Sequence, residues 1–198
     1  MGVNKIREWM TPNYYVKVDL SVFDGENTWR EEVLPMVSAG IPCLLWDAFR
    51  DGIRNPADGF HQWISEGIGE HPNVTWVERC EHHHYPPGHK GAAREWHEPF
   101  CTAYNSISVM AQWAVKLGFE EIDLVGCDLG FTNGGVDDHF MRYYDRVDTN
   151  YVERNESHAR AAHALIKKCC PVPVYNATIG GALDLYPRMD LTKVMQHA

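Results

Sequence analysis

Four polar side chains stand where strand-like apolar runs of the sequence end, and they are the first candidates for chemistry. These end residues, each directly after an apolar run, are Asp19, Asp47, Asp128 and Asn176. In open parallel sheets, ligands bind just outside the carboxyl ends of the strands. Carboxylates and amides at such ends can bind a ligand, or they can simply order the turn that follows. We predict that at least two of the four line one substrate-binding crevice.

The segment around Asp128 gives the strongest single candidate. The apolar run Ile122–Gly126 predicts a buried strand, which then opens into a turn flanked by Gly126 and Gly130. Glycine lets the backbone approach a ligand closely. Because the run is apolar on both faces, we predict that this strand is central in the sheet, with Asp19, Asp128 and Asn176 on the same rim. The alternative is that Asp128 only orders the turn.

The segment 129–156 carries a second group of polar side chains. Tyr143, Tyr144 and Arg146 can bind a phosphate. The paired carboxylates beginning at Asp137 lie beside a histidine and can hold Mg²⁺. The alternative is a solvated acidic loop with stacked tyrosines.

His158 is the candidate general base. Ser157 is a preferred capping residue, so we predict a helix over 157–168 with His158 in its first turn. There the positive end of the helix dipole would favour the neutral ring, and the side chain would be solvent-accessible and face the crevice. We expect His163, further along the helix, to pack against the sheet or to lie on the far side. The alternative for His158 is a purely structural role.

The segment 80–101 is rich in Cys and His, which are the usual ligands of zinc. It lacks paired spacing of the kind CxxC or HxxxH, and the histidines His82, His83 and His84 are consecutive, which does not suit tetrahedral coordination. We therefore predict no structural zinc there and interpret the segment as a loop over the crevice.

The alternation of apolar runs with helical patterns predicts the fold class. Thr28 and Glu31 suit a capping box, and Gly40 suits a helix end. Strands separated by helices favour a parallel sheet with helices on both faces. We predict one α/β domain over 1–198, a three-layer Rossmann-like domain with a mostly parallel sheet and long loops at 80–101 and 129–156. The predicted strands are 14–18, 41–46, 74–78, 122–126 and 172–175, and the helices 28–38, 57–66, 103–117, 157–168 and 191–195.

Composition narrows the class of protein. A hydrophobic fraction of 44% and a charged fraction of 23% are typical of a globular chain. The net charge of −9 argues against nucleic acid as a partner. No apolar run is long enough for a membrane span and the N-terminus lacks the pattern of a signal peptide, so we expect a cytoplasmic protein. Cys43 and Cys127 lie in apolar runs and are predicted to be buried thiols, with no need for disulfides.

Two stretches of the sequence resemble a known family. Residues 104–128 are similar to the helix–strand core of the domain shared by motility accessory factors and archaeal 6-hydroxymethylpterin diphosphokinases: an Ala-rich helix, Leu-Gly-Phe, a strand, then Gly-x-Asp ending at Asp128. Residues 174–191, with the run Asn-Ala-Thr, resemble the closing segment of that family, and residues 3–6 and 12–19 resemble its early strands. The resemblance implies a Rossmann-like domain.

The same fold occurs in bacterial sialyltransferases that modify lipooligosaccharide, and there the resemblance implies roles for particular residues. In those enzymes a tyrosine pair binds the nucleotide phosphate and a later histidine is the base. Tyr143, Tyr144 and His158 are similar to them in order and rough placement. The family also begins with an additional strand and a Gly-rich loop that cradles the nucleotide. This chain starts where that loop would end, so we expect a fragment or a reduced member.

Three functions are consistent with these patterns. The first is a nucleotide-dependent, glycosyltransferase-like transferase, in which Asp128 and the tyrosine loop hold a nucleotide-sugar donor and His158 is the base. The second is a pterin pyrophosphokinase-like enzyme whose Mg²⁺ is held by Asp19, Asp128 or Asp137. The third is a non-catalytic binding module that has lost the nucleotide-binding loop. The expected partner is a small nucleotide or nucleotide sugar, and the oligomeric state is left open, with a homo-oligomer among the alternatives.

Overall fold

The computed structural model describes residues 1–3, 10–18, 28–46, 71–77, 106–127, 129 and 149–197. These residues belong to two compact units, one containing the described residues up to 77 and the other those from 106 onward. Each unit combines helices with parallel strands, which confirms the α/β class. The three-layer arrangement in one domain stays a prediction.

The first unit contains a four-stranded sheet in which every described pairing is parallel. Its strands lie side by side in chain order, β1 to β4. In register, Val16 of β2 lies opposite Val3 of β1 and Leu44 of β3. The strands are β1 (Gly2–Val3), β2 (Tyr15–Lys17), β3 (Cys43–Trp46) and β4 (Val74–Val77).

Residues 28–38, predicted to be a helix, form a helical segment between β2 and β3. A π-helical stretch, Thr28–Val33, continues into α1 (Leu34–Ser38). Gly40, at φ 75°, ends the helix: its N–H donates to the Val37 carbonyl, and the next N–H donates to the Met36 carbonyl at 3.2 Å. This left-handed cap satisfies carbonyls that the helix end leaves unpaired, and glycine adopts it without steric cost. The predicted helix end at Gly40 is therefore confirmed.

The core of the first unit lies between α1 and one face of the sheet. Tyr15, Cys43 and Leu45 pack there with the apolar residues of α1. Leu44, which alternates to the other face, is also fully buried, so β3 is covered on both faces as predicted. Beside this core, Lys17 Nζ lies 3.2 Å from Glu32 Oε2 in a buried ion pair.

Among its described residues, the second unit contains a parallel pair of strands and three helices. Its elements are α2 (Ser106–Lys116), β5 (Ile122–Leu124), α3 (Thr149–Cys169), β6 (Val174–Asn176) and α4 (Leu191–His197). On its other side, β6 forms a parallel bridge between Asn176 and Arg188. Within the described residues β6 therefore has neighbours on both sides, and the prediction that β5 is central stays a prediction.

Three predicted boundaries in the second unit are corrected. Strand β5 stops at Leu124, because Gly126 turns the chain at φ 75°. Strand β6 starts at Val174, after Pro173, which cannot donate to a sheet hydrogen bond. Helix α3 starts at Thr149, so the predicted loop 129–156 is shorter at its end. The predicted helix 57–66 lies outside the described residues.

Both long helices of the second unit run back along the strands. Ala111 of α2 and Ile166 of α3 pack in one core with Leu124 and Val174. Short connections, 117–121 and 170–173, lead from these helices into β5 and β6. A helix that packs on a strand and enters it through so short a turn must be antiparallel to it. The amino ends of α2 and α3 therefore point toward the edge where β5 and β6 end.

Candidate functional site

Most of the predicted site residues lie outside the described part of the chain. These residues are Asp19, Asp47, Asp128, Tyr143, Tyr144 and Arg146. The side chain of His158 is likewise not described, whereas Asn176 is described in full. Their grouping into one crevice stays a prediction, and what the structure adds is the framework around Asn176 and on both sides of position 128.

The carboxyl ends of β5 and β6 are fastened to each other. Leu124 lies opposite Asn176 in the parallel register. Beyond this pair, the Ala177 N–H donates to the Leu124 carbonyl at 2.8 Å, and the Cys127 N–H donates to Thr178 Oγ1 at 2.9 Å. The residue that precedes position 128 is thus held by a side chain from the neighbouring strand end. This arrangement gives the edge a defined backbone path, as a ligand site requires.

The buried side chain of Asn176 links the backbone segments at this edge by hydrogen bonds. The residue has no exposed surface, and its Oδ1 accepts from the Thr178 N–H at 3.0 Å. Its Nδ2 donates to the Leu183 carbonyl at 3.1 Å and lies 3.5 Å from the Cys127 carbonyl. The amide is therefore committed to contacts within the chain, where it orders the turn after β6. Its predicted substrate-binding role stays a prediction.

Two arginines hold the loop that follows Thr178. Arg188 donates to the Thr178 carbonyl at 2.7 Å and to the Gly181 carbonyl at 3.2 Å. Arg160, on α3, donates to Asp184 Oδ1 at 3.1 Å and to the Ala182 carbonyl. The hydrogen bond from Arg160 lowers the pKa of the exposed Asp184 carboxyl. The loop is thereby tied to α3 as well as to the bridge at Arg188.

The backbone is strained at Leu129, the residue after position 128. Leu129 has φ 48°, the one positive φ among the described residues other than glycine. For a leucine this conformation costs about 1–3 kcal/mol. Its side chain is buried in the core of the second unit, which offsets that cost. Such strain is concentrated at ligand sites and turns, and here it immediately follows Asp128.

Ser106 is a candidate that reasoning from the sequence missed. It is the first described residue of α2, it is 6% exposed, and its hydroxyl has no hydrogen-bond partner. A buried hydroxyl without a partner is costly unless a ligand or water supplies one. The predicted helix start at 103 lies outside the described residues and stays a prediction.

The predicted position of His158 needs correction. Ser157 does not cap a helix, because α3 begins at Thr149 and passes through both residues. His158 is thus far from the helix start, and the argument from the helix dipole no longer applies to it. Arg160, two residues further on, bonds the loop at 182–184, so this part of α3 lies at the level of the loop after β6. Whether the His158 side chain faces the crevice stays a prediction.

His163, expected either to pack against the sheet or to lie on the far side, is buried, and its described contacts are with Tyr186, beyond the end of β6. It is 3% exposed and packs edge to face against the ring of Tyr186. Burial, with a smaller contribution from the charge of Arg160, lowers the pKa of His163 to about 4. Burial likewise raises the pKa of Tyr186. Both shifts favour the neutral side chains, which pack against each other.

The remaining sequence predictions concern metals, thiols and membranes. Cys43 and Cys127 are buried free thiols, as predicted, and burial raises the pKa of Cys43 to about 12. Within the described ranges, no group of three metal-ligating side chains comes together, and no helix is both long and apolar enough to cross a bilayer. The segment 80–101 lies outside the described residues, so the prediction about zinc stays a prediction.

Comparison with known proteins finds no relative of this chain. No family model matches the chain, and no curated protein or solved structure is significantly similar to it.

Proposed function

We propose that the chain is a nucleotide-dependent transferase of the glycosyltransferase-like kind, with its site at the carboxyl ends of β5 and β6. The observation that carries the proposal is a buried hydroxyl without a partner toward this edge, that of Ser106 on α2. A phosphate oxygen could accept from that hydroxyl.

The fastened strand ends support the same placement. The hydrogen bond from Cys127 to Thr178 and the strained Leu129 fix the backbone on both sides of position 128. A carboxylate held there can orient a bound donor without reorganising during the reaction. In the proposal, Asp128 binds the donor together with Tyr143, Tyr144 and Arg146.

The proposed reaction is a group transfer with His158 as general base. An acceptor hydroxyl attacks the anomeric carbon of the donor sugar, and His158 takes the hydroxyl proton. The bond from that carbon to the phosphate oxygen breaks, and the nucleotide leaves with the bonding electron pair. The position of His158 on the part of α3 level with the loop after β6 is consistent with this role.

The proposal also covers the arrangement of the layers, the partner and the cellular location. It includes a three-layer Rossmann-like arrangement, a nucleotide or nucleotide sugar as the small-molecule partner, and a cytoplasmic location. The acidic composition, with net charge −9, supports a small-molecule partner rather than nucleic acid.

Ligand binding tests the proposal directly. Thermal unfolding would be followed with CMP, UDP, GDP and ATP, each with and without Mg²⁺. A nucleotide present at a hundred times its Kd should stabilise the fold by about 2.7 kcal/mol. Ser106→Ala should weaken its binding about tenfold, since a hydrogen bond to a charged group is lost, without lowering the stability of the free protein.

Ser108→Ala is the matched control. Ser108 is on the same helix and is also buried, but its hydroxyl accepts from Gln112 Nε2 within α2. Nucleotide affinity should therefore stay unchanged in this variant. The proposal fails if none of the nucleotides stabilises the protein, or if the two serine variants bind the nucleotide equally well.

A further inference from the structure

A loop with two adjacent glycines follows β6, and residues 178–183 are called the Gly-Gly loop below. Gly180 and Gly181 both have positive φ, 76° and 75°. Glycine adopts this left-handed conformation without steric cost. The loop begins at Thr178, whose Oγ1 accepts from the Cys127 N–H, next to position 128. It therefore lies at the carboxyl edge of the strands, where the transferase site is proposed.

Two arginines bind the carbonyl groups of the Gly-Gly loop. Arg188 donates to the Thr178 carbonyl at 2.7 Å and to the Gly181 carbonyl at 3.2 Å. Arg160 donates to the Ala182 carbonyl at 3.3 Å. These contacts fix the orientation of three peptide units of the loop before any ligand binds, and a preformed site lowers the ordering cost of binding.

The N–H groups of the same peptide units point the other way. In a trans peptide unit the carbonyl and the N–H of the next residue are antiparallel. Because the Thr178 and Gly181 carbonyls point at Arg188, the N–H groups of Ile179 and Ala182 point away from it. Both residues are exposed, and no acceptor in the described part of the chain binds either N–H. The loop thus has two unpaired backbone donors on the side away from Arg188.

The space beside the loop is open. A Cβ atom placed on Gly180 would have no neighbouring atom within 4 Å, and both glycines are exposed. A ligand can therefore approach the backbone at this turn closely, which a larger side chain would hinder.

The charges around the loop favour an anion. Arg188 takes part in neither of the ion pairs recorded for the described residues. The Asp184 carboxylate, just after the loop, is paired with Arg160 at 3.1 Å, so the two charges offset each other. A peptide unit whose carbonyl accepts from a cation is polarised, which makes its N–H a stronger donor. The guanidinium of Arg188 therefore strengthens the donors of Ile179 and Ala182.

We propose that the Gly-Gly loop binds the phosphate groups of a diphosphate, with the N–H groups of Ile179 and Ala182 donating to phosphate oxygens. Free backbone N–H groups at a glycine-rich turn are a common means of binding phosphate. The inference rests on the proposed function in naming the diphosphate of a nucleotide-sugar donor as the ligand. It deepens that function by assigning the diphosphate to a defined segment of the chain.

Backbone amide resonances test the inference, with inorganic pyrophosphate as the probe. In proton–nitrogen correlation spectra, pyrophosphate should move the amide proton signals of Ile179 and Ala182 downfield in a saturable way, because they gain a hydrogen bond to an anion. The Gly118 signal should stay in place, since its N–H already donates to the Val115 carbonyl at 3.0 Å. Sodium chloride at equal ionic strength separates binding from screening. Absence of movement at Ile179 and Ala182, or equal movement with chloride, would overturn the proposal.

Gly180→Val tests the conformation of the loop. A β-branched residue is strained at positive φ, and its side chain would occupy the open space beside the N–H groups. Pyrophosphate affinity, measured by calorimetry, should fall about tenfold or more, as expected for losing a hydrogen bond to a charged group. The amide signals are measured on the wild-type protein, so they decide the question even if this variant does not fold.

Gly118→Val is the matched control. Gly118 also has a positive φ, 85°, and a Cβ there would likewise have no atom within 4 Å, but it lies after α2, at the other end of β5. This variant should suffer a similar loss of thermal stability and keep the pyrophosphate affinity of the wild type. Equal weakening of pyrophosphate binding in the two variants would contradict the proposal.

Nucleoside diphosphates separate this inference from the transferase proposal. A nucleoside diphosphate that stabilises the fold without moving the Ile179 and Ala182 signals would overturn the loop assignment and leave the transferase proposal intact. Pyrophosphate binding at the loop, in a protein that no nucleotide stabilises, would support the loop assignment and reject the transferase proposal.

Discussion

Tyr186 and His163 are joined by two polar contacts and by their rings. The Tyr186 hydroxyl donates to the His163 carbonyl at 2.8 Å, and His163 Nδ1 lies 3.2 Å from the same hydroxyl oxygen. Because the hydroxyl proton is directed at the carbonyl, Nδ1 must carry a hydrogen and donate to the oxygen. The contact thus couples the middle of α3 to the segment that leads into the Arg188 bridge.

The burial of His163 predicts a loss of stability in acid. Its pKa is lowered from 6.5 to about 4 in the folded protein. Between these values the unfolded chain binds the proton more readily, so stability falls as the pH falls through this window and levels off below about 4. From pH 7 to pH 5 the loss from this group is about 2 kcal/mol. Urea unfolding of the wild type and of His163→Gln at both pH values measures it.

His163→Gln lacks the titrating ring. Its loss of unfolding free energy between pH 7 and pH 5 should therefore be smaller than that of the wild type by about 2 kcal/mol. Arg160→Gln offers a second check. The positive charge of Arg160 lowers the pKa of His163 further, so its removal should raise that pKa and reduce the acid loss. Identical pH dependence in wild type and His163→Gln would show that this histidine does not control acid stability.

Helix ends and buried strands were predictable because their causes are local. Gly40 and Gly118 each end a helix in the same way, with a positive φ and a hydrogen bond from the glycine N–H back to the last turn. Cys43 and its strand are buried because a continuous apolar run has no polar face to offer solvent. Neither inference requires knowledge of distant residues.

The parts of the site that sequence reasoning missed depend on distant or competing interactions. The amide of Asn176 reaches Cys127, 49 positions away, and no local pattern indicates that contact. Ser157 was predicted to cap a helix. The preceding residues 149–156 include no Gly or Pro that would stop a helix, so α3 runs through them and past Ser157. A capping residue is a weak signal where helix-forming residues precede it.

The hydrogen bond between the strand ends can be tested at Thr178. Thr178→Val keeps the shape but removes the acceptor of the Cys127 N–H, so the free energy of unfolding should fall by about 1–3 kcal/mol. Thr178→Ser keeps the hydroxyl and should lose clearly less. Urea unfolding compares the three proteins. If Thr178→Val and Thr178→Ser lower the free energy of unfolding equally, the hydroxyl does not hold the strand ends together.

The buried ion pair between Lys17 and Glu32 can be tested by a double-mutant cycle. Lys17→Met leaves a buried carboxylate without its cation and should cost about 3–5 kcal/mol of unfolding free energy. Lys17→Met combined with Glu32→Leu removes both charges, so much of that loss should be recovered. Thermal unfolding of the single and double variants gives the coupling. Additive losses would mean that the two charges do not depend on each other.

His158 can be tested against Ser157, its neighbour on α3. If His158 is the base, His158→Ala should abolish sugar transfer, measured as release of free nucleotide, while the Tm changes little because the position is interior to a continuous helix and alanine favours helix. Ser157→Ala, at an exposed position that is not a cap, should leave both activity and Tm nearly unchanged. His158→Gln separates the roles, since it can hydrogen-bond but cannot take a proton at neutral pH. Activity that survives in His158→Gln would assign the residue to positioning, and a large fall in Tm in His158→Ala would assign it to the fold.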